Sequence, residues 1–172
     1  MIHAVKALRH DRARAEPALP EPLHHYFEEK ILVTQWYPDT DFMAIARALA
    51  AVFPAPKEGH WQWIGRQGAA ANFTGIYAAM VRPGDPAETL RRYPRMWRIH
   101  HNAGDVKVTM LDATRARVEI RHPLAEHQEF CRLQIGHIGE LVKLAGAEKV
   151  EVELLHTGSR REPGAWIVQW LR

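Results

Sequence analysis

Cys131 follows His127 by four residues, so on a helix the thiol and the imidazole would share one face. That spacing could hold a metal ion or make a thiolate nucleophile, because a neighbouring imidazole takes the thiol proton. A nucleophile of this kind also needs a group to orient the base and a donor for the oxyanion, and the sequence nominates neither. Inert packing of a buried Cys is the ordinary alternative. His100 and His101 adjoin at the end of a helical stretch, where imidazoles bond the last carbonyls and complement the helix dipole. Gly65 and Gly68 make no phosphate loop, since no Lys-Ser or Lys-Thr follows and no apolar strand precedes them. With no catalytic constellation in view, the chain is expected to bind rather than to catalyse.

The elements that would carry these residues follow from period and punctuation. The opening IHAVKALR alternates weakly and reads as a first strand, stopped by Pro17, Pro20 and Pro22. Pro22 can start a short helix through about Lys30. Asp39 or Thr40 can cap the next helix, DFMAIARALAAVF, with Phe42, Ile45, Ala46 and Leu49 on one face before Pro54 and Pro56. A second helix is expected from His60 to Val81, its small residues Gly68, Ala71, Gly75 and Ala79 admitting another backbone closely. Asp85 caps a third, PAETLRRYPRMWRIHHNAG, bent at Pro94 and ended by Gly104.

After Gly104 the apolar period drops to two. DVKVTMLD and RARVEIRH read as a hairpin, with Val106, Val108 and Met110 on one face and Val118 and Ile120 on another. A fourth helix from Ala125 to Ala145 carries Phe130, Leu133, Gln134, His137, Ile138, Leu141 and Val142 at helical spacing. EKVEVELLH and AWIVQWLR then form a second alternating pair around TGSRREPG. Strand, strand, helix, strand, strand predicts an α+β fold: an antiparallel sheet covered by the long helix, in one domain over residues 1–172. The earlier helices would cover the sheet's edge or build a pocket.

Composition bounds the function classes. At 172 residues with 47% hydrophobic and 25% charged, the chain is an ordinary globular one. The net charge of +3 comes from scattered Arg clusters, a poor match to a nucleic-acid-binding face. A single Cys, no signal-peptide pattern and no stretch of about 20 apolar residues predict a cytoplasmic protein without a membrane span. Six Trp are many for this length, and large aromatics fill cores or line flat sites.

From Trp36 onward the chain carries a series of short pieces in a set order: Trp36-Tyr37-Pro38, Gly65-Arg66, Gly75-Ile76-Tyr77 and Pro94-Arg95-Met96-Trp97 before Gly104. Cys131, Gly136, Gly139, Gly146-Ala147, Gly164, Trp166 and Trp170 complete it. In these the chain resembles a paralogous family of unknown function abundant in myxobacteria. That family looks like a branch of the four-vinyl-reductase and haem-nitric-oxide-binding fold. The resemblance implies a ligand-binding fold whose relatives sense small molecules, signal to partners or act as trafficking adaptors, often as dimers. The chain is therefore expected to be a homodimeric signalling or adaptor module, engaging a protein partner under the control of a small apolar ligand.

The resemblance also implies sites. An apolar pocket between helices and sheet would be lined by Tyr77, Tyr93, Trp97 and Met110, unless these side chains simply fill the interior. The four-vinyl-reductase zinc site would fall on Cys131 and Glu153, with His156 replacing a third ligand. Gly164 stands where the last thiolate belongs, so His122 or His127 would have to close the shell, giving a zinc sensor or metal-dependent enzyme as the alternative function. A buried Cys, a solvated Glu and a surface His is the plain alternative. The haem sensors of this fold carry a Tyr-x-Ser-x-Arg propionate clamp, which this sequence lacks, so His100 or His101 as a haem ligand is not expected.

Overall fold

Ile2, Val5 and Leu8 recur every third residue, and the opening segment is helix α1 (Ile2–His10) rather than the expected strand. Strand alternation would have aligned Lys6 with Ile2 and Leu8. The helix buries Val5 and Leu8 and turns Lys6 to solvent. The computed structural model describes every residue except Val33, Ala55, Lys57, Glu58, Ile76 and Arg172. The chain divides into two units, Met1–Trp61 and Gln62–Arg172.

In the first unit α1 leads through α2 (Arg12–Ala15) to a 3-10 stretch over Glu21–Phe27, where a helix reaching Lys30 was expected. His25 Nδ1 bonds the carbonyl of Pro22 at 2.9 Å, the acceptor an α-helical Tyr26 N–H would use. Helix α3 (Asp39–Val52) matches expectation in extent, although Pro38 occupies its cap position and no side chain closes it. It buries Ile45, Ala46 and Leu49 together with Met43 and Val52, while Phe42 is half-buried. Helix α1 packs on α3. The Tyr26 hydroxyl ties to Asp41 at 2.7 Å, and Arg14 donates to the carbonyl of Val52 at the end of α3.

Helix α4 (His60–Phe73) runs from the last residues of the first unit into the second and stops eight residues short of Val81. The N–H and hydroxyl of Thr74 both bond the carbonyl of Ala70, at 3.0 and 2.8 Å, after which the chain turns at Gly75. Ile76 lies outside the described residues. The expected bent helix is two: α5 (Pro86–Arg91), capped by Asp85 Oδ1 accepting from the Glu88 N–H at 2.9 Å, and α6 (Tyr93–His100). Pro94 falls in the first turn of α6, where its missing N–H has no helical acceptor to lose.

Strands β1 (Asp105–Met110) and β2 (Arg115–Arg121) form the hairpin, its turn held by Asp112 Oδ1 accepting from the Thr114 N–H at 2.9 Å. A 3-10 turn at Pro123–Glu126 leads into α7 (Gln128–Leu144), followed by β3 (Val150–His156) and β4 (Gly164–Trp170). All pairings are antiparallel and the strand order is β1-β2-β4-β3. The register aligns Val106, Val118, Trp166 and Val152 on one face, and α7 packs on that face at β3 and β4. Trp166 and Trp170 are fully buried there, and each large apolar side chain so buried contributes about 1.5–3 kcal/mol. The fold is α+β with an antiparallel four-stranded sheet, as the alternation predicts. Among the described residues no helix is long and apolar enough to cross a membrane.

Candidate functional site

Tyr93, Met96, Trp97 and His100 lie three or four residues apart on α6, so one face of that helix carries three rings and a thioether inward. Across from it α7 offers Gln134 and His137, and α4 with its following turn offers Phe73 and Tyr77. The Tyr93 hydroxyl donates to Gln134 Oε1 at 2.9 Å in a buried bond. The rings of Phe73 and Tyr77 stand edge-on to His100, with centroids at 6.2 and 4.5 Å. Phe73 is also edge-on to His137 at 5.6 Å, and Tyr93 lies 6.0 Å from the same imidazole.

His100 is fixed in one tautomer by its neighbour. Its Nδ1 bonds the carbonyl of Met96 at 2.9 Å, and a carbonyl can only accept, so Nδ1 carries the hydrogen. The capping role expected of this residue is thus present. Its Nε2 is left as a bare lone pair, buried and without a hydrogen-bond partner among the described residues. Burial lowers the pKa of His100, and His137 is pushed down to about 3 by burial and by the charges that His100 and His101 would bear. Both imidazoles are therefore neutral at physiological pH. Burial raises the Tyr93 phenol, which stays protonated as a donor.

A second group of rings lies further along α6. His101 stacks flat on Trp97, with centroids 3.8 Å apart and planes at 14°, and His122 stands edge-on to Trp97 at 5.5 Å. Phe130 closes the group against Trp97 and His122. The Trp97 indole N–H donates to Ala103 at 3.1 Å. His122 Nδ1 accepts from the Leu124 N–H at 3.2 Å and caps the 3-10 turn. Nδ1 must then be unprotonated, which places the hydrogen on Nε2 and makes His122 a poor metal ligand through that atom.

Of the expected pocket residues, the structure brings Tyr77 and Tyr93 to the His100–His137 group and Trp97 to the adjoining one. Met110, the last residue of β1, is half-buried and paired with Ala116 on β2. Phe73, Gln134 and His137 join the site without having been assigned to it. Gln134 and His137 had a signal, as polar residues inside the apolar stripe of α7, and Phe73 on α4 had none.

The zinc set is not brought together. Cys131 is fully buried, its S–H donating to the carbonyl of Ala125 at 3.1 Å, and burial pushes the thiol up to about 11. Helix α7 packs over Val152, so alternation sends the adjacent Glu153 to the opposite, exposed face of β3. His156 is exposed at the strand end, its Nδ1 on the carbonyl of Thr157. His127 is exposed as well, and a thiol with a raised pKa beside it is not an activated nucleophile.

Residues 27–170 match the profile of a family described as proteins of unknown function, DUF2378. No curated protein matches the chain. Among solved structures, an oxygen-binding H-NOX domain related to soluble guanylate cyclases superposes with a TM-score of 0.71 at 11% identity, over 99% of this chain and 91% of its own. The Fe(II) unliganded H-NOX protein from K. algicida gives 0.71 at 9%, over 98% and 93%. An H-NOX structure determined to probe heme distortion gives 0.71 at 11%, over 98% and 92%. The chain thus has an H-NOX-like fold.

Haem, named for one of these neighbours, can be tested against the residues present. His100 has the tautomer of an axial ligand, with one nitrogen on a carbonyl and the other bare. The propionates lack their counterpart: the clamp motif is absent and the guanidiniums of α6, Arg95 and Arg98, are exposed. The residues fit a hydrogen-bond donor at His100 and do not fit the whole cofactor.

Proposed function

Starting from membership of the DUF2378 family of proteins of unknown function, to which this chain belongs, we propose that its second unit is a small-molecule-binding signalling module. The ligand is a flat, largely apolar molecule with one N–H or O–H. Its ring packs against Phe73 and Tyr77, and its donor bonds Nε2 of His100. The response leaves through the surface of a protein partner. The observation that carries this reading is the bare, buried Nε2 of His100 beside two edge-on rings. A buried acceptor without a donor costs about 1–3 kcal/mol, which a ligand's N–H would recover. The H-NOX-like fold supports it, since a neighbour with that fold binds oxygen.

Indole and 1-methylindole differ in one hydrogen and separate the proposal from unspecific apolar binding. Indole is expected to raise the melting temperature by about 2–4 °C, the effect of roughly 1 kcal/mol in a chain of this size. The methylated compound and the His100→Phe variant with indole should show no shift. Equal shifts with both compounds, or none with either and with phenols, would remove the reading. Haem added to the same assay should give no stoichiometric complex.

A further inference from the structure

The sheet has a second face, opposite the one that α7 covers, and its side chains are sorted by charge. The register places Lys107 on β1 and Arg115, Arg117 and Arg121 on β2, against Glu151 and Glu153 on β3. Between them β4 is uncharged, with Ala165, Ile167 and Gln169. Asp105 and Glu119 soften the basic half without reversing it. Most of these side chains are exposed, and Ile167 is half-buried at the centre. Arg117 pairs with Glu119 at 3.3 Å, while among the described residues no ion pair joins Lys107, Glu151 or Glu153.

We propose that this face docks on the same face of a second copy of the chain, about a two-fold axis running parallel to the strands between β2 and β4. Charge selects that axis. Rotation about a line parallel to the strands lays the acidic β3 of one copy over β1 of the other, one strand spacing from its arginine-bearing β2. A two-fold perpendicular to the strands would lay β2 over β2 and β3 over β3, like over like, which costs association energy. In the favoured arrangement Arg117, Ile167 and Glu153 share one row across the sheet. The two Ile167 side chains flank the axis, and each Arg117 lies one strand spacing, about 4.8 Å, to the side of the other copy's Glu153. A guanidinium spans that offset.

The size of the face sets the strength of the contact. Four strands about 4.8 Å apart, with six or seven residues rising about 3.3 Å each, make a patch on the order of 400 Å2. Two copies bury on the order of 800 Å2, the range of transient, salt-sensitive contacts rather than obligate dimers. The dimer is independent of ligand binding at His100.

Sedimentation equilibrium of the full chain at low and at high salt, from about 1 μM to about 1 mM, tests the proposal. A concentration-dependent dimer at low salt that weakens about tenfold or more at high salt is expected. Arg117→Glu and Glu153→Arg should each weaken it about tenfold or more, and the double variant should recover most of that loss. Circular dichroism checks that each variant is folded, and the pair Arg115→Glu and Glu151→Arg, which shares the next row, replaces the first pair if either of its members is not. A monomer throughout, a dimer indifferent to both reversals, or a double variant weaker than either single one would overturn the proposal.

Discussion

Tyr93 and Gln134, forty-one residues apart, are joined by a buried hydrogen bond from phenol to amide oxygen at 2.9 Å, which locks α6 to α7 beneath the His100 site. Tyr93→Phe leaves the Gln134 amide oxygen buried without a donor, and a cost of about 1–3 kcal/mol in urea unfolding is expected. Gln134→Leu should cost a similar amount. The double variant should cost clearly less than the sum, because both changes remove the same bond. Strict additivity would show that the bond contributes nothing.

The parts of the fold with a strong period were legible in the sequence. Val106, Val108 and Met110 alternate, the stripe from Phe130 to Val142 repeats every three or four residues, and Asp85 precedes a proline at a helix start. The nine residues of α1 were too short to separate a weak alternation from a three-residue repeat, and burial of Val5 and Leu8 decided it. The site was legible only in part. Tyr93 and Trp97 stood out as large aromatics, whereas the roles of Gln134 and His137 depend on which face of α7 meets α6, a tertiary fact. Glu153 was misplaced because a spacing in sequence carries no information on strand register, and register puts it on the far side of the sheet from Cys131.

Close approach of α4 to α7 rests on two glycines. A Cβ on Gly65 would meet the carbonyl of Leu133, and one on Gly136 the carbonyl of Gln62. Gly65→Ala and Gly136→Ala are each expected to lower stability by about 1–3 kcal/mol, since backbone must move to make room. Gly68, also in α4, has nothing within 4 Å of the same position, and Gly68→Ala should stabilise by about 0.5–1 kcal/mol through helix propensity. Denaturant midpoints of the three variants check the contrast.

The pH dependence of stability follows from His137. Its folded pKa of about 3 lies below the ordinary 6.5, so the unfolded chain binds a proton that the folded chain refuses. Above about pH 6.5 the group is neutral in both states and contributes no slope. As pH falls from there towards 3, stability should drop by up to about 1.4 kcal/mol per unit from this residue, and His100 acts in the same direction. His137→Phe should flatten the profile between pH 6.5 and 4, as read from unfolding free energies. An unchanged slope would mean that the imidazole is solvated.

Cys131, fully buried with its thiol raised to about 11, should resist thiol reagents in the folded protein. Labelling at pH 8 is expected only at the rate of unfolding, and completely in denaturant. Fast labelling of the native chain would mean that α7 opens at its N-terminal end.

The most direct measurement of the central claim is a long-range proton–nitrogen spectrum of the histidine-labelled protein, with and without indole. His100 is expected to carry its hydrogen on Nδ1, with an unprotonated Nε2 that shifts on addition of indole as it accepts a hydrogen bond, and not with 1-methylindole. A hydrogen on Nε2 of His100, or an Nε2 resonance that ignores indole, would contradict the claim that this lone pair awaits a ligand.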